Sequence, residues 1–323
     1  MTPMVSVVIC TVDRADALRR ALASLRQQTA PPGMFEVIVV DNNATDDTTA
    51  IVAEAAALAP VRHVREPRQG LSFARNCGVH ASRGDLIAFT DDDVCVAPDW
   101  IETIRRTAAE QRDASWFGGR VLPVWPSDAP DWLDASCWAP LALLDFGPSR
   151  IPLGGGEPRS VIGANLIVRR AAFAAAGLFS PHVQRVGDGI GSTEDHELQT
   201  RLARRGLHGL YEPALVVHSP VDRQRMTREY HRRWHAGHGR FFAIMREPSF
   251  EASVRGRVLD VPAHAYRALA EATARWMAAS LSLRRAAAFR HELQARFLAA
   301  YVRERIRGRI AAMRTHHDQR VPA

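Results

Sequence analysis

Lysine is absent: all 42 basic side chains among the 323 residues are arginine. Three chemistries leave with it, namely the Walker A phosphate grip, Schiff-base catalysis and a pyridoxal phosphate anchor. Any phosphate must be held by guanidinium groups, backbone N–H groups or a metal ion. Cysteine is scarce, and Cys10, Cys77, Cys95 and Cys137 form no C-x-x-C pair, which excludes a zinc ribbon and a dithiol redox motif. No run of about 18 apolar residues occurs, so no helical membrane span is expected. The N-terminus lacks a basic lead and its apolar run stops by Asp13. No signal peptide is therefore expected, and the protein reads as cytoplasmic. The turn after that run lacks Gly-x-Gly-x-x-Gly, which argues against a nicotinamide-dependent oxidoreductase. No nucleic-acid-binding module is recognisable, and no nucleic-acid partner is expected.

What is present is ordinary globular material, 46% hydrophobic and 24% charged. The net charge of +7 conceals a division. From Arg223 onward 21 arginines face 8 acids, whereas residues 1–222 hold 21 arginines and 27 acids. The sequence therefore reads as an acidic domain over 1–222 and an Arg-rich region over 223–323.

Two periodicities alternate along the acidic domain. Val5–Cys10, Phe35–Val40 and Leu86–Thr90 are short apolar runs that predict buried strands. Asp16–Gln28, Thr45–Ala59 and Leu71–Ala81 predict helices between them, with a short segment at Val61–Val64. Strands alternating with helices predict βαβ units and a parallel sheet. Further on, Val161–Val168 predicts a strand, Arg170–Ala176 a short helix, Val186–Gly191 a Gly-rich loop, Glu194–Arg205 a helix and Leu215–Val217 a last short strand. Asp113–Arg159, with Trp116, Trp125, Trp132 and Trp138, reads as a strand followed by a long ordered loop. The Arg-rich region reads as helical, with a stripe at Leu298, Val302, Ile306 and Ile310.

The predicted strand ends carry the chemistry. Thr11-Val12-Asp13-Arg14, Asp41-Asn42-Asn43 and Asp91-Asp92-Asp93 leave three strands on the edge where open α/β sheets bind ligands. Three adjacent carboxylates after Leu86–Thr90 repel one another unless a cation sits among them. A divalent ion with phosphate oxygens would supply that charge, since hard cations take oxygen ligands; the plain alternative is a solvated turn capping the next helix. Asp41 can bind a base or ribose, or simply close an Asx turn. Arg75, beside Asn76, can grip a diphosphate or pair with an acid as an exposed helix arginine. His218 ends its strand as a metal ligand or as a structural histidine. His231, His235 and His238 share helical spacing, but zinc needs more than spacing. The Arg-rich region either lies on an anionic membrane or packs as a helical appendage.

In order, Val8–Arg14, Val37–Thr48, Gly70–Gly78, Phe89–Asp93, Gly163–Arg170, Ser192–Asp195 and His218 resemble glycosyltransferase family 2, over about two-thirds of the chain. The resemblance implies a GT-A fold, with a mostly parallel sheet flanked by helices and a C-terminal helical appendage. It divides 1–222 into a nucleotide-binding half (1–112) and an acceptor half (113–222). It implies an inverting, metal-dependent transfer from a nucleoside-diphosphate sugar, with Mg²⁺ or Mn²⁺ as cofactor. Thr11 and Asp41 match nucleoside positions and Arg75 one near the diphosphate; Asp13, Arg14, Asn76 and Asp92 complete the donor set. Asp91 and Asp93 match the outer carboxylates of an Asp-x-Asp motif, with His218 as a further ligand. Asp195 matches the catalytic base, with Glu194 as fallback. Gly163 and Asn165 match the acceptor segment, to which Trp132 or Trp138 can add a stacking face. The acceptor, lipid-linked or small, is left open. Asp195 also fits a capping box with Ser192, which would hold it as an anion and weaken it as a base. Tyr230–Trp234 is similar to the Gln-x-x-Arg-Trp motif of processive members, but Tyr230 stands at the Gln position; with no membrane span expected either, a non-processive transfer is expected. The competing reading is a non-catalytic sugar- or lipid-binding protein on the same scaffold.

Overall fold

The computed structural model describes residues 4–130, 132–155, 159–184, 190–191, 193–251 and 256–318. Its elements in chain order begin with β1 (Val5–Thr11), α1 (Ala15–Arg26), β2 (Phe35–Asp41), α2 (Thr48–Ala56), β3 (Val61–Arg65), α3 (Leu71–Ala81), β4 (Leu86–Asp91) and β5 (Cys95–Val96). There follow α4 (Trp100–Glu110), β6 (Ala114–Val124), β7 (Ile151–Leu153), β8 (Leu166–Arg169), α5 (Arg170–Ala176), α6 (Glu194–Arg204) and β9 (His208–Pro220). The remaining elements are α7 (Arg228–Met245), α8 (Pro248–Glu251), β10 (Arg257–Val258), β11 (Val261–Pro262), α9 (Ala263–Leu281) and α10 (Arg285–Asp318). They fall into two compact units, Met1–Gly187 with Glu194–Arg223, and Asp188–Thr193 with Gln224–Ala323.

In the first unit the sheet runs β3-β2-β1-β4-β8-β6-β9-β5, with β7 paired to β9. The strands β1 to β4 are parallel, as βαβ connections dictate. From β8 onward the sheet is mixed: β8 runs antiparallel to β4 and β6, while β6 and β9 are parallel. Apolar runs in β1, β2 and β4 are buried on both faces. On one face Val8, Ile38, Val40 and Phe89 pack with Phe173 of α5, Leu198 and Leu202 of α6 and Phe179. Trp116 lies in this core as well, on β6 and not in the loop that follows.

Two strands differ from expectation. Val161–Val168 is extended only from Leu166, because Gly163–Asn165 forms a 3-10 turn. The last strand is 13 residues long, not three. Glu212-Pro213 looks like a break in the sequence, but the chain bulges there: Gly118 pairs with Tyr211 and Arg120 with Val216. A bulge is where a strand tolerates proline. Gly119 faces the bulge, and a Cβ there would meet the carbonyl oxygens of Leu215 and Glu212. Gly119→Ala is therefore expected to destabilise the fold by about 1–3 kcal/mol, the range for overpacking, measured as a lowered denaturant midpoint. The expected Gly-rich loop lies outside the described residues apart from Ile190 and Gly191.

The second unit is helical. Its core contains Ala243, Val261, Ala265, Tyr301 and Val302, with Ala272, Ala295 and Leu298 alongside. Of the predicted stripe, Leu298 and Val302 are buried, Ile306 packs at the edge and Ile310 is exposed. Arg305 is buried and bonds Asp260 at 2.8 Å. His231 is buried, the ring of His235 contacts its carbonyl, and His238 stacks on Trp234. No helix among the described residues is long and apolar enough to cross a membrane.

Candidate active site

The parallel register sets three strand ends side by side. Thr11 of β1 pairs with Asp41 of β2, and Cys10 with Asp91 of β4. Thr11 and Asp41 are buried at this edge. One oxygen of Asp41 accepts the Ala44 N–H at 2.7 Å, so it does close an Asx-type turn; the other lies 3.4 Å from His63 on β3. Sequence reading missed His63, whose only signal is its place in the short third strand.

The loops beyond these ends are laced together. Asp13 accepts from the backbone and hydroxyl of Thr45, and Asp46 accepts the Ala15 N–H. Asn42, in the polar segment that follows β2, donates to the carbonyls of Glu66 and Arg68 and accepts the Gly70 N–H. Asp13 thus serves this lacing, at a left-handed φ of 51°.

The aspartate corner contains its own cation. Arg14 Nη1 donates to Asp92 at 3.1 Å and to Asp93 at 2.7 Å. Asp92 is pushed up to about 6, first by burial and then by Asp93, with Arg14 and the Thr11 hydroxyl pulling the other way. Asp91 and Asp93 keep 38% and 27% of their side chains exposed. A cleft of about 620 Å³ opens beside Arg14 and Asp93, lined also by Arg20, Asp47 and Asp222.

Arg75 joins this corner to α6. Its guanidinium is buried, bonds Glu194 at 2.8 Å and lies 3.7 Å from Asp91. It also stacks over Phe179. Burial opposes its charge, but Glu194, then Asp91 and Asp195, outweigh this and hold its pKa above the ordinary value. The exposed-helix reading of Arg75 is thereby corrected: it is an interior ion pair. Next to Glu194, Asp195 is half-buried, and its Oδ2 accepts the Gly163 N–H at 2.8 Å. A Cβ on Gly163 would collide with the Arg75 guanidinium, which explains glycine there. Ser192, the other half of the expected capping box, lies outside the described residues.

Other expected residues are placed differently. Asn76 exchanges two hydrogen bonds with the backbone of Phe179. Asn165 is fully buried, accepting from Trp100 and donating to the carbonyls of Arg120 and Leu215. Both side chains are committed to the fold. Trp132 and Trp138 are half-buried in the long loop. His218 is exposed on β9, which runs on to Pro220 instead of ending at it, and sits opposite Cys95 of β5, two residues after Asp93 in the chain.

Asp91 and Asp93 fit a divalent ion in donor type and exposure: oxygen ligands on a turn suit a hard cation. No group of three His, Cys, Asp or Glu side chains able to hold a metal occurs among the described residues. An ion here would therefore need further oxygens from substrate or water, as Mg²⁺ commonly does.

The sheet gathers arginines and carboxylates at its parallel strand ends, the edge where open α/β sheets bind ligands. The profile of glycosyl transferase family 2 matches residues 6–175, and the chain belongs to that family. It is similar to the glucosyl-dolichyl phosphate glucuronosyltransferase of Haloferax volcanii, 30% identical over 57% of this chain and 58% of that protein. It thus spans less than two-thirds of that relative. Succinoglycan biosynthesis protein ExoM of Rhizobium meliloti is 29% identical over 74% of this chain and 75% of its own. Two solved structures share the fold. Mannosyltransferase PcManGT from Pyrobaculum calidifontis, in complex with GDP-Man and Mn²⁺, has a TM-score of 0.61 and 20% identity over 94% of this chain and 87% of its own. S. aureus TarS in complex with UDP-GlcNAc has a TM-score of 0.54 and 15% identity over 92% and 89%. The fold is GT-A-like, and residues 6–175 form a family 2 glycosyl transferase domain.

Proposed function

We propose that the protein transfers a sugar from a nucleoside-diphosphate sugar to an acceptor hydroxyl in one inverting displacement, with Asp195 as base. The observation that carries this is the single Arg75 guanidinium that reaches both Asp91 and Glu194, tying the aspartate corner to the start of α6. The donor class is supported by the nucleotide sugars in the complexes of the two structural relatives.

In this reading Thr11 and Asp41 hold the nucleoside. Arg14, partly exposed, turns from Asp93 to the diphosphate, a grip for which a guanidinium is suited. Asp91 and Asp93 would hold Mg²⁺ or Mn²⁺, with His218 as the remaining candidate ligand. Such an ion, when bound, offsets the charge that collects on the leaving group. Asp195 Oδ2 accepts the Gly163 N–H and Oδ1 the His196 N–H, which orients the carboxylate that takes the acceptor's proton. The freed oxygen attacks the anomeric carbon as its bond to the diphosphate breaks on the opposite face. The nucleoside diphosphate departs with that electron pair, and one displacement inverts the centre.

A panel of nucleoside diphosphates with and without Mn²⁺ tests the donor site by thermal shift. A ligand at a hundredfold excess over its Kd should stabilise the protein by about 2.7 kcal/mol. Asp93→Ala should remove the Mn²⁺-dependent part of that gain and leave the unliganded melting point near its original value. A flat response across the panel would sink the proposal.

A further inference from the structure

The last residue of α9 and the turn that leads to α10 carry two leucines, Leu281 and Leu283, that the fold does not use. Leu281 and Leu283 are 84% and 82% exposed, the highest values among the exposed large hydrophobic residues, and Met277, one turn earlier on α9, is 60% exposed. Isolated exposed leucines are normal, but a cluster within seven residues is not. Leu283 is locally the wrong residue too. It has φ 54°, in the left-handed region. The Arg284 N–H reaches back to the Ala279 carbonyl and the Leu283 N–H to that of Ser280, so the turn caps α9. Helices that end this way favour glycine or asparagine at that position, because a Cβ is strained there. No burial of the leucine offsets that strain, and strain kept without internal compensation points to a function outside the fold.

The surrounding charge identifies the partner. Residues 272–291 contain Arg275, Arg284, Arg285 and Arg290 and no acid. Arg275 pairs with Glu271, whereas Arg284 and Arg285 are exposed and have no ion pair among the described residues. Apolar side chains flanked by unpaired arginines match the boundary between acyl chains and anionic headgroups: the leucines enter the first, and the guanidinium groups hold phosphates in the second.

We propose that the α9–α10 turn is a membrane-contact tip, which inserts Leu281 and Leu283 into an anionic phospholipid surface while Arg284 and Arg285 bind its phosphates. This inference is independent of the transfer chemistry. Its geometry is peripheral, since the described helices do not span.

Co-sedimentation of the full chain with phosphatidylcholine vesicles, with and without phosphatidylglycerol, is the test. The wild type should pellet with the phosphatidylglycerol vesicles and release as salt rises. Arg284→Gln with Arg285→Gln should lower the partition coefficient roughly 30-fold, from ~1 kcal/mol per arginine near an anionic surface. Leu281→Ser with Leu283→Gly should abolish pelleting although the glycine relieves backbone strain, so that the melting point holds or rises. That combination separates lost contact from lost fold. Equal pelleting of wild type and variants would overturn the proposal, as would no pelleting of the wild type. Analytical ultracentrifugation covers the other occupant: a dimer that the leucine substitutions dissolve, without vesicle binding, would assign the tip to a second copy of this chain.

Discussion

Asp195→Asn is expected to leave donor binding intact and to slow sugar transfer by about 10²–10⁴-fold, the usual contribution of a positioned base. The substitution keeps the shape of the side chain, and its amide oxygen can still accept the Gly163 N–H. Besides the capacity to take a proton, only the acceptance of the His196 N–H by Oδ1 is removed. The effect should therefore appear in kcat while the nucleotide Kd stays within error. A carboxylate that merely capped α6 would behave differently, because asparagine is as good a cap as aspartate; near-normal turnover would identify that role. Glu194→Gln separates the neighbouring carboxylate. Because Glu194 is already bound to Arg75, this change should act first on stability and only through it on rate.

Arg75→Ala should produce the largest loss of stability, about 3–5 kcal/mol, the range for stranding one partner of a buried ion pair. Arg75 and Glu194 are both buried, and without the guanidinium the carboxylate has lost its counter-charge. The check is a double-mutant cycle in denaturant with Arg75→Ala, Glu194→Ala and the pair. The pair should cost less than the sum of the singles by about 0.5–3 kcal/mol, as for residues in direct contact. Strict additivity would show that the two side chains do not depend on each other.

The parallel half of the fold was legible because its signals are local. Val5–Thr11, Phe35–Asp41 and Leu86–Asp91 are apolar runs that stop at polar residues, and both properties follow from burial on two sheet faces with solvent at one end. The second half was harder. The 13-residue β9 contains Glu212-Pro213, and only pairing with β6 across a bulge makes that sequence a strand. The same distinction divides the site. The carboxylates of the aspartate corner announce themselves by adjacency, and Asp195 by its resemblance to a known pattern. Arg75 with Glu194, Asp41 with His63 and Asn165 with Trp100 are partnerships between distant segments. No periodicity encodes them, which is why Asn165 reads as an acceptor contact in sequence and as an internal brace in the fold.

The lacing of the strand-end loops has a practical consequence for anyone redesigning donor preference. Asp13 grips Thr45, Asp46 grips Ala15, and Asn42 fastens Glu66, Arg68 and Gly70. A change in any one loop will be transmitted to its neighbours, so mutagenesis libraries that vary these segments one at a time will mostly sample broken rims. Exchanging all three as a block between homologous enzymes is the more promising unit of engineering.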